Sequence, residues 1–432
     1  MSLLKPARRL PNPVLLGVVA FFVFSLYLLS TKGGASPVPY FHADRIKSSV
    51  PDITDDIYNT TLGVSQRLFV GLIIGRGSNA STQFEKIFVI SRPSRTDRRD
   101  GMVLAAALSN LEIEFIDGVD GKDVPDKALL SSEEELKRLA DPVIGAWRAH
   151  MNAIQEVVRR NLSSALIMED DADWDIRIRE QMHDFALATH ALTQPLLSSP
   201  DPSSPTFADP TFPNGTFGPS TVPDMDFASL PLTRVPTTSP YGDAWDVLWA
   251  GHCGMAFAFA TNAALPKGRV VRVPDPTVPA RRHLLAGLPS ISGLETTYPD
   301  HARVYHHAQD ACCSLAYAVS RAGARAVLRH VGLKDANQPF DLQLKSFCEG
   351  GGSPDRGGPH ACLAAQPSVF QVHRAKGSRG ANSDIADHGA GGQEEESRGL
   401  RWGVRMNLDA LVKGGEELVD GYPDGDGDMV GN

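Results

Sequence analysis

The chain has 432 residues, a formal net charge of −9, a pI near 5.8 and 42% hydrophobic residues. That length and composition allow one large domain with appendages, or two ordinary domains. An acidic balance without a long Lys/Arg run excludes nucleic acid as the expected partner.

The chain opens with a short cytosolic tail, residues 1–12, carrying Lys5, Arg8 and Arg9. Residues 13–31 follow as an uncharged apolar run, PVLLGVVAFFVFSLYLLS and onward, about the minimum length for a membrane-spanning helix. Positive charge before the run predicts a cytosolic N-terminus and a type II signal-anchor with everything downstream in the lumen. A short span suits the thinner early secretory membranes, so the expectation is a Golgi or ER membrane protein. A cleaved signal peptide ending near Gly33-Gly34-Ala35 is the competing reading. Asn59, Asn79, Asn161 and Asn214 stand in Asn-x-Ser/Thr sequons, and Asn59, Asn79 and Asn214 are the expected glycosylation sites. Five cysteines form no CxxC pair, which argues against structural zinc; an oxidising lumen allows disulfides and leaves an odd thiol.

Residues 32–83 read as a stem. Patterned sequence then begins with a strand at Lys86–Ile90 and a basic loop from Ser91 to Arg99. Helical spacing follows over Met102–Leu111, then a strand at Glu114–Ile116 ending in Asp117-Gly118-Val119-Asp120-Gly121. Strand, helix and strand in this order predict a βαβ unit with parallel strands. Ile144, Trp147, Met151, Ile154 and Val158 mark one face of a second helix. Residues 195–242 lose all periodicity and read as an inserted low-complexity loop. Order returns with strands at Val247–Ala250 and Ser314–Val319, and Ser320 is placed to cap a helix over Arg321–Val331. Residues 386–432 read as a flexible acidic tail, whose Asp424, Asp426 and Asp428 lack the glycine and the terminal glutamate of a calcium loop.

The most informative stretch is Ala165–Asp175, ALIMEDDADWD. A short apolar run reads as a buried strand, and Glu169, Asp170 and Asp171 stand at its carboxyl end, where open α/β sheets bind ligands. Three adjacent carboxylates repel one another and call for a cation. Mn²⁺ or Mg²⁺ bridging carboxylate and diphosphate is the expected one; a solvated acidic loop is the alternative. Arg95, Arg98 and Arg99 follow the first strand, as diphosphate contacts or as ordinary surface arginines. Asp120 reads either as a ribose contact or as a turn former. His306-His307, Asp310 and Cys312-Cys313 satisfy no ligand spacing and read as structural.

Taken in order, several patterns resemble glycosyltransferase family 25, over roughly residues 84–385. They are Ile87–Ile90 with Arg95, Asp97 and Arg98; Asp117–Gly121; Gly145 with Ala149-His150; Glu169–Asp171; Trp245–Leu248 with Gly251; Ala316–Ser320 with Gly323-Ala324; Asp341, Cys348, Cys362, Pro367; and Gln371-Val372-His373 running to Ser383–Ile385. The resemblance implies an α/β, GT-A type Rossmann-like fold and transfer of a sugar, galactose by default, from a UDP-sugar to a glycan or glycoprotein acceptor. It implies Mn²⁺ (or Mg²⁺) held by Glu169 and Asp171, with His373 completing the shell. Arg95, Arg98, Asp120 and Asp170 fall on the donor side. Asp341 is the candidate base for an inverting displacement, or else a helix-start residue favoured by the macrodipole. Cys348 and Cys362 flank a Gly-rich loop and are expected to pair. Family members usually carry Ser-His where this chain has Ala149-His150, and the long insertion keeps acceptor loops from being carried over. A catalytically silent sugar-binding or chaperone-like protein on the same fold is the alternative function. A metal-dependent phosphoesterase would need a second compact acidic cluster.

Overall fold

The computed structural model describes residues 84–130, 138–215, 218–284, 293–334, 337–350, 360–377, 384–385, 394–415 and 417–425. The expected membrane span, the stem, Asn59 and Asn79 lie outside these residues. Among the described residues no helix is long and apolar enough to cross a membrane.

The first half runs β1 (Lys86–Ser91), α1 (Thr96–Leu108), β2 (Ile113–Asp117), α2 (Asp141–Arg159), β3 (Ser164–Glu169), β4 (Ala172–Trp174) and α3 (Ile178–Thr193). The second runs β5 (Met225–Asp226), β6 (Val247–Gly251), β7 (Gly254–Ala256), β8 (Arg269–Arg272), α4 (Leu294–Thr297), β9 (Arg303–His307), β10 (Gln309–Cys312), β11 (Ala316–Ser320), α5 (Arg321–Val327), α6 (Phe340–Glu349), β12 (Cys362–Gln366), β13 (Phe370–Arg374), β14 (Glu396–Ser397) and α7 (Leu408–Lys413). The main sheet has the order β2-β1-β3-β11-β6-β12-β9-β8-β5. β1 pairs parallel with both β2 and β3, giving the expected βαβ edge, whereas β11 lies antiparallel to β3 and β6. The result is a mixed α/β sheet of Rossmann-like texture.

The apolar runs explain these pairings. In β1 and β3 alternate residues enter opposite cores: Ile87, Val89, Leu166 and Met168 on one face, Phe88, Ala165 and Ile167 on the other. Strands covered on both faces read as continuous hydrophobic runs. Helix α2 covers the second face with Trp147, Met151 and Ile154. It packs tightly on the turn after β2, since a Cβ on Gly145 would stand 2.3 Å from the Val119 carbonyl oxygen and one on Gly121 would meet Asp141. Ser320 caps α5 as expected, accepting from the Gly323 N–H.

Three expectations are changed. Helix α1 begins at Thr96, so its polar first turns carry Arg98 and Arg99 in helix rather than loop. The region 195–242 is tied into the fold: Tyr241 is fully buried and stacks on Phe84, and Asp209 accepts from the N–H groups of Thr211 and Gly268. Residues 394–413 likewise form β14 and α7, with Leu400, Val404 and Leu411 in the core. Both segments join the fold through isolated buried apolar residues together with polar contacts, a mixture that hydrophobic periodicity does not register.

Candidate active site at the acidic turn

Strand β3 delivers Glu169 at its carboxyl end, the chain turns through Asp170 and Asp171, and β4 leads away paired with β13. Helix α1 supplies the cation. Arg98 Nη1 donates to Asp170 Oδ1 at 2.6 Å and to Asp171 Oδ2 at 3.2 Å. Asp171 Oδ1 is buried and has no hydrogen-bond partner among the described residues. Burial, opposed by Arg98 but reinforced by Glu169 and Asp170, raises the Asp171 carboxyl to about 6.

Glu169 turns to the other side. Its Oε1 accepts from Ser314 Oγ at 3.0 Å and lies 3.5 Å from His150 Nε2. Burial works against ionisation there, but His150 and Ser314 outweigh it and hold the carboxyl below its usual range. His150, from α2, stacks on Phe340 at 4.2 Å and bonds Tyr317 Oη at 3.1 Å. Next to Phe340, Asp341 sits in the first turn of α6 and accepts from the Cys313 N–H at 2.8 Å. Because β11 runs antiparallel to β3, Cys313 and Ser314 lie at the same end of the sheet as Glu169. Asp341 and the acidic turn are thus linked through His150 and Ser314.

The third wall comes from the C-terminal segment. His373 donates its backbone N–H to the Asp171 carbonyl at 2.7 Å, and its Nδ1 lies 3.0 Å from Ser397 Oγ. Burial, with Arg405 and Arg98 nearby, drives the His373 ring down to about 3; Glu395, 3.2 Å from Nε2 but 46% exposed, does not offset this. Ser397 also donates to Asp173, whose carboxyl is pushed up to about 6 by burial against its hydrogen bonds. Arg405 donates its backbone N–H to Asp173 Oδ1 and its Nη1 to the Asp170 carbonyl. Asp173, Ser397 and Arg405 carried no expectation. Asp173 alone was visible, inside the ALIMEDDADWD stretch.

Other expected residues have different partners. Arg95 bonds Asp97 and Asp384. Asp120 caps the helical turn Gly121–Asp123 and pairs with Lys122, with Arg92 at 3.9 Å. Asn214 is exposed, and Asn161 is an exposed residue with a left-handed backbone after α2. Cys348–Cys362 is a disulfide, as is Cys253–Cys313, and Cys312 is a free thiol.

Among the described residues no three His, Cys, Asp or Glu side chains converge to hold a metal. Glu169 is engaged by His150 and Ser314, so the full expected set of Glu169, Asp171 and His373 does not assemble. An ion arriving on a diphosphate needs only one or two protein ligands. Asp171 Oδ1, without a hydrogen-bond partner among the described residues, and His373, whose backbone N–H bonds the Asp171 carbonyl, fit that lesser demand.

Residues 84–197 match the model of glycosyltransferase family 25 (LPS biosynthesis protein). The acidic turn, Arg98 and His150 fall within this segment; Asp341, His373 and Arg405 lie beyond it. The chain is similar to procollagen galactosyltransferase 2 of Homo sapiens, 28% identical over 109 residues, 23% of this chain and 17% of that protein. Procollagen galactosyltransferase 1-B of Xenopus laevis is 26% identical over 176 residues, 36% of this chain and 28% of that protein. Inactive glycosyltransferase 25 family member 3 of Homo sapiens is 30% identical over 111 residues, 23% of this chain and 18% of that protein. The matches therefore span less than a third of the length of each of these curated relatives.

Proposed function

We propose that this chain is a GT-A type glycosyltransferase that moves a sugar, galactose by default, from a UDP-sugar to a hydroxyl of a glycan or glycoprotein. The observation that carries the reading is the acidic turn at the carboxyl end of β3, inside the segment matching the family model, with one carboxylate oxygen of Asp171 buried and open. Asp171 and His373 are the residues that would hold Mn²⁺ or Mg²⁺, which when bound supplies Lewis-acid neutralisation of the departing diphosphate.

The chain's own residues do the rest. Arg98 and Arg405 balance the clustered carboxylates, so the turn can face a polyanion without mutual repulsion dominating. The acceptor hydroxyl oxygen forms its bond to the anomeric carbon as the bond to the phosphate oxygen breaks. The electron pair leaves with UDP and the hydroxyl proton passes to Asp341, inverting the anomeric centre. Two disulfides support folding in an oxidising lumen, consistent with a type II anchor at residues 13–31 in the Golgi or ER membrane.

The test is Asp171→Ala in the full chain. Metal-dependent UDP binding should disappear by calorimetry while the circular dichroism spectrum is retained. Unchanged UDP affinity both in this variant and in chelator would overturn the metal role. A second reading, a silent sugar-binding protein, is favoured by the Arg98 contacts that occupy Asp170 and Asp171. Metal-dependent UDP binding without hydrolysis of any nucleotide sugar in a panel would select it.

A further inference from the structure

Between α2 and β3 the chain turns through Asn161, Leu162 and Ser163, an Asn-x-Ser pattern. The Asn161 N–H bonds the Val158 carbonyl and the Leu162 N–H bonds the Val157 carbonyl. Paired bonds of this kind close a helix whose next residue is left-handed, and Asn161 has a φ of 54°. Asn161 is exposed. The two residues after it turn inward. Leu162 is buried in the core, and the Ser163 N–H and hydroxyl both donate to Glu85 Oε2, at 2.6 and 2.9 Å.

An oligosaccharide on Asn161 would therefore stand in solvent. It would also stand at the amino end of β3, Ser164–Glu169, which at about 3.3 Å per residue sets roughly 20 Å of strand between it and the acidic turn. The folded chain, however, cannot offer the pattern as a whole. N-glycosylation requires a hydroxyl two positions after the asparagine, so the modifying enzyme has to reach it. Glu85 occupies that hydroxyl, and the burial of Leu162 fixes the backbone before it. Glu85 directly precedes β1, Ser163 directly precedes β3, and the two strands pair in parallel. Docking of β1 on β3 thus closes the pattern and leaves only the Asn161 side chain outside.

We propose that Asn161 is an N-glycosylation site filled before β1 docks on β3, so that the folded chain carries a glycan at the end of the sheet opposite the acidic turn. The Asn161 amide nitrogen bonds to the anomeric carbon of a lipid-diphosphate-linked oligosaccharide. The bond from that carbon to the phosphate oxygen breaks, its electron pair leaves with the diphosphate, and one amide proton is released. This rests on the luminal placement proposed from the N-terminal segment and adds to it a position and an order of events.

The test synthesises the full chain in the presence of microsomes and maps it by mass spectrometry after peptide N-glycosidase treatment in ¹⁸O water. Asn161 should be recovered as ¹⁸O-labelled aspartate. One gel-mobility step on glycosidase treatment should be lost in Asn161→Gly, a variant that suits the left-handed helix end and so keeps the fold. The full chain synthesised and folded without membranes, then given the solubilised microsomal enzyme and its lipid-linked donor, should gain no glycan at Asn161. An unmodified Asn161 in a chain that carries a glycan on Asn59, Asn79 or Asn214 would overturn the inference. Modification of Asn161 in the already folded chain would overturn the order of events. No glycan on any of the four, with the chain open to protease from the cytosolic side, would instead strike down the luminal placement and this site with it.

Discussion

Arg98 lies 2.6 Å from Asp170, a contact that ties α1 to the turn after β3, the strand that pairs parallel with β1. Both side chains are largely withdrawn from water, at 11% and 9% exposure. Removing one partner of such a pair leaves the other charge uncompensated, which costs about 3 kcal/mol or more. Arg98→Ala should lower the denaturation midpoint accordingly, and Arg98→Lys should lose part of that because one ammonium cannot reproduce the guanidinium fork. A loss below about 1 kcal/mol for Arg98→Ala would show that water already balances the turn.

Buried histidines set an acid limit on stability. Burial takes His252 down to about 4 and His306 to about 3; His252 Nε2 donates to the Ala365 carbonyl, while His306 donates from Nδ1 to the His307 carbonyl and accepts at Nε2 from the Gln366 amide, a pattern that a neutral ring satisfies. Between their ordinary value of 6.5 and these folded values, the unfolded chain binds protons that the folded chain refuses. Stability is therefore full above 6.5 and lost as pH falls toward 4. At about 1.4 kcal/mol per unit, His306→Gln should reduce the loss between about pH 6.5 and pH 5 by roughly 2 kcal/mol. Urea denaturation across that range measures it; identical slopes for variant and parent would assign the acid sensitivity to other groups.

The Cys348–Cys362 bridge ties the end of α6 to the start of β12 across 14 positions. Closing a loop of that size contributes about 3 kcal/mol in the chain-entropy model. The paired replacement Cys348→Ala with Cys362→Ala should destabilise by that order in guanidinium titration. Alkylation of the folded wild-type chain, followed by peptide mapping, should find label on Cys312 and none on the other four cysteines. Label on Cys348 or Cys362 would contradict the bridge.

The legible parts of this protein were those that hydrophobic pattern controls. Ile87–Val89 and Ala165–Met168 announce buried strands because both faces of the sheet are covered, and the Trp147–Met151–Ile154 stripe announces the helix that covers one of them. Glu169–Asp171 stood out because three charges follow directly on that apolar run. Arg405 and Ser397 were invisible for the opposite reason. Arg405 reaches Asp173 across 232 positions and Ser397 reaches it across 224, through backbone and hydroxyl contacts that leave no periodic trace. Asp209 likewise leaves no periodic trace, in a Pro- and Ser-rich stretch that it holds in place by accepting from the N–H groups of Thr211 and Gly268.

The acceptor step can be separated from the donor step at Asp341. Its Oδ2 accepts from the Cys313 N–H, a bond that an asparagine oxygen can also accept, so Asp341→Asn keeps the local fold while removing a base. Cys313 carries a left-handed backbone and is disulfide-bonded to Cys253, which holds that N–H in place independently of the carboxylate. A positioned general base contributes typically 10²–10⁴-fold, so transfer to acceptor should fall by about that factor. UDP and Mn²⁺ affinities should stay within about twofold, since among the described residues Asp341 is connected to the acidic turn indirectly, through its neighbour Phe340 on His150 and through Cys313 next to Ser314. Loss of donor affinity would move Asp341 to the sugar or nucleotide subsite. Near-normal transfer would leave it as the first-turn residue of α6, stabilised by the helix N-terminus.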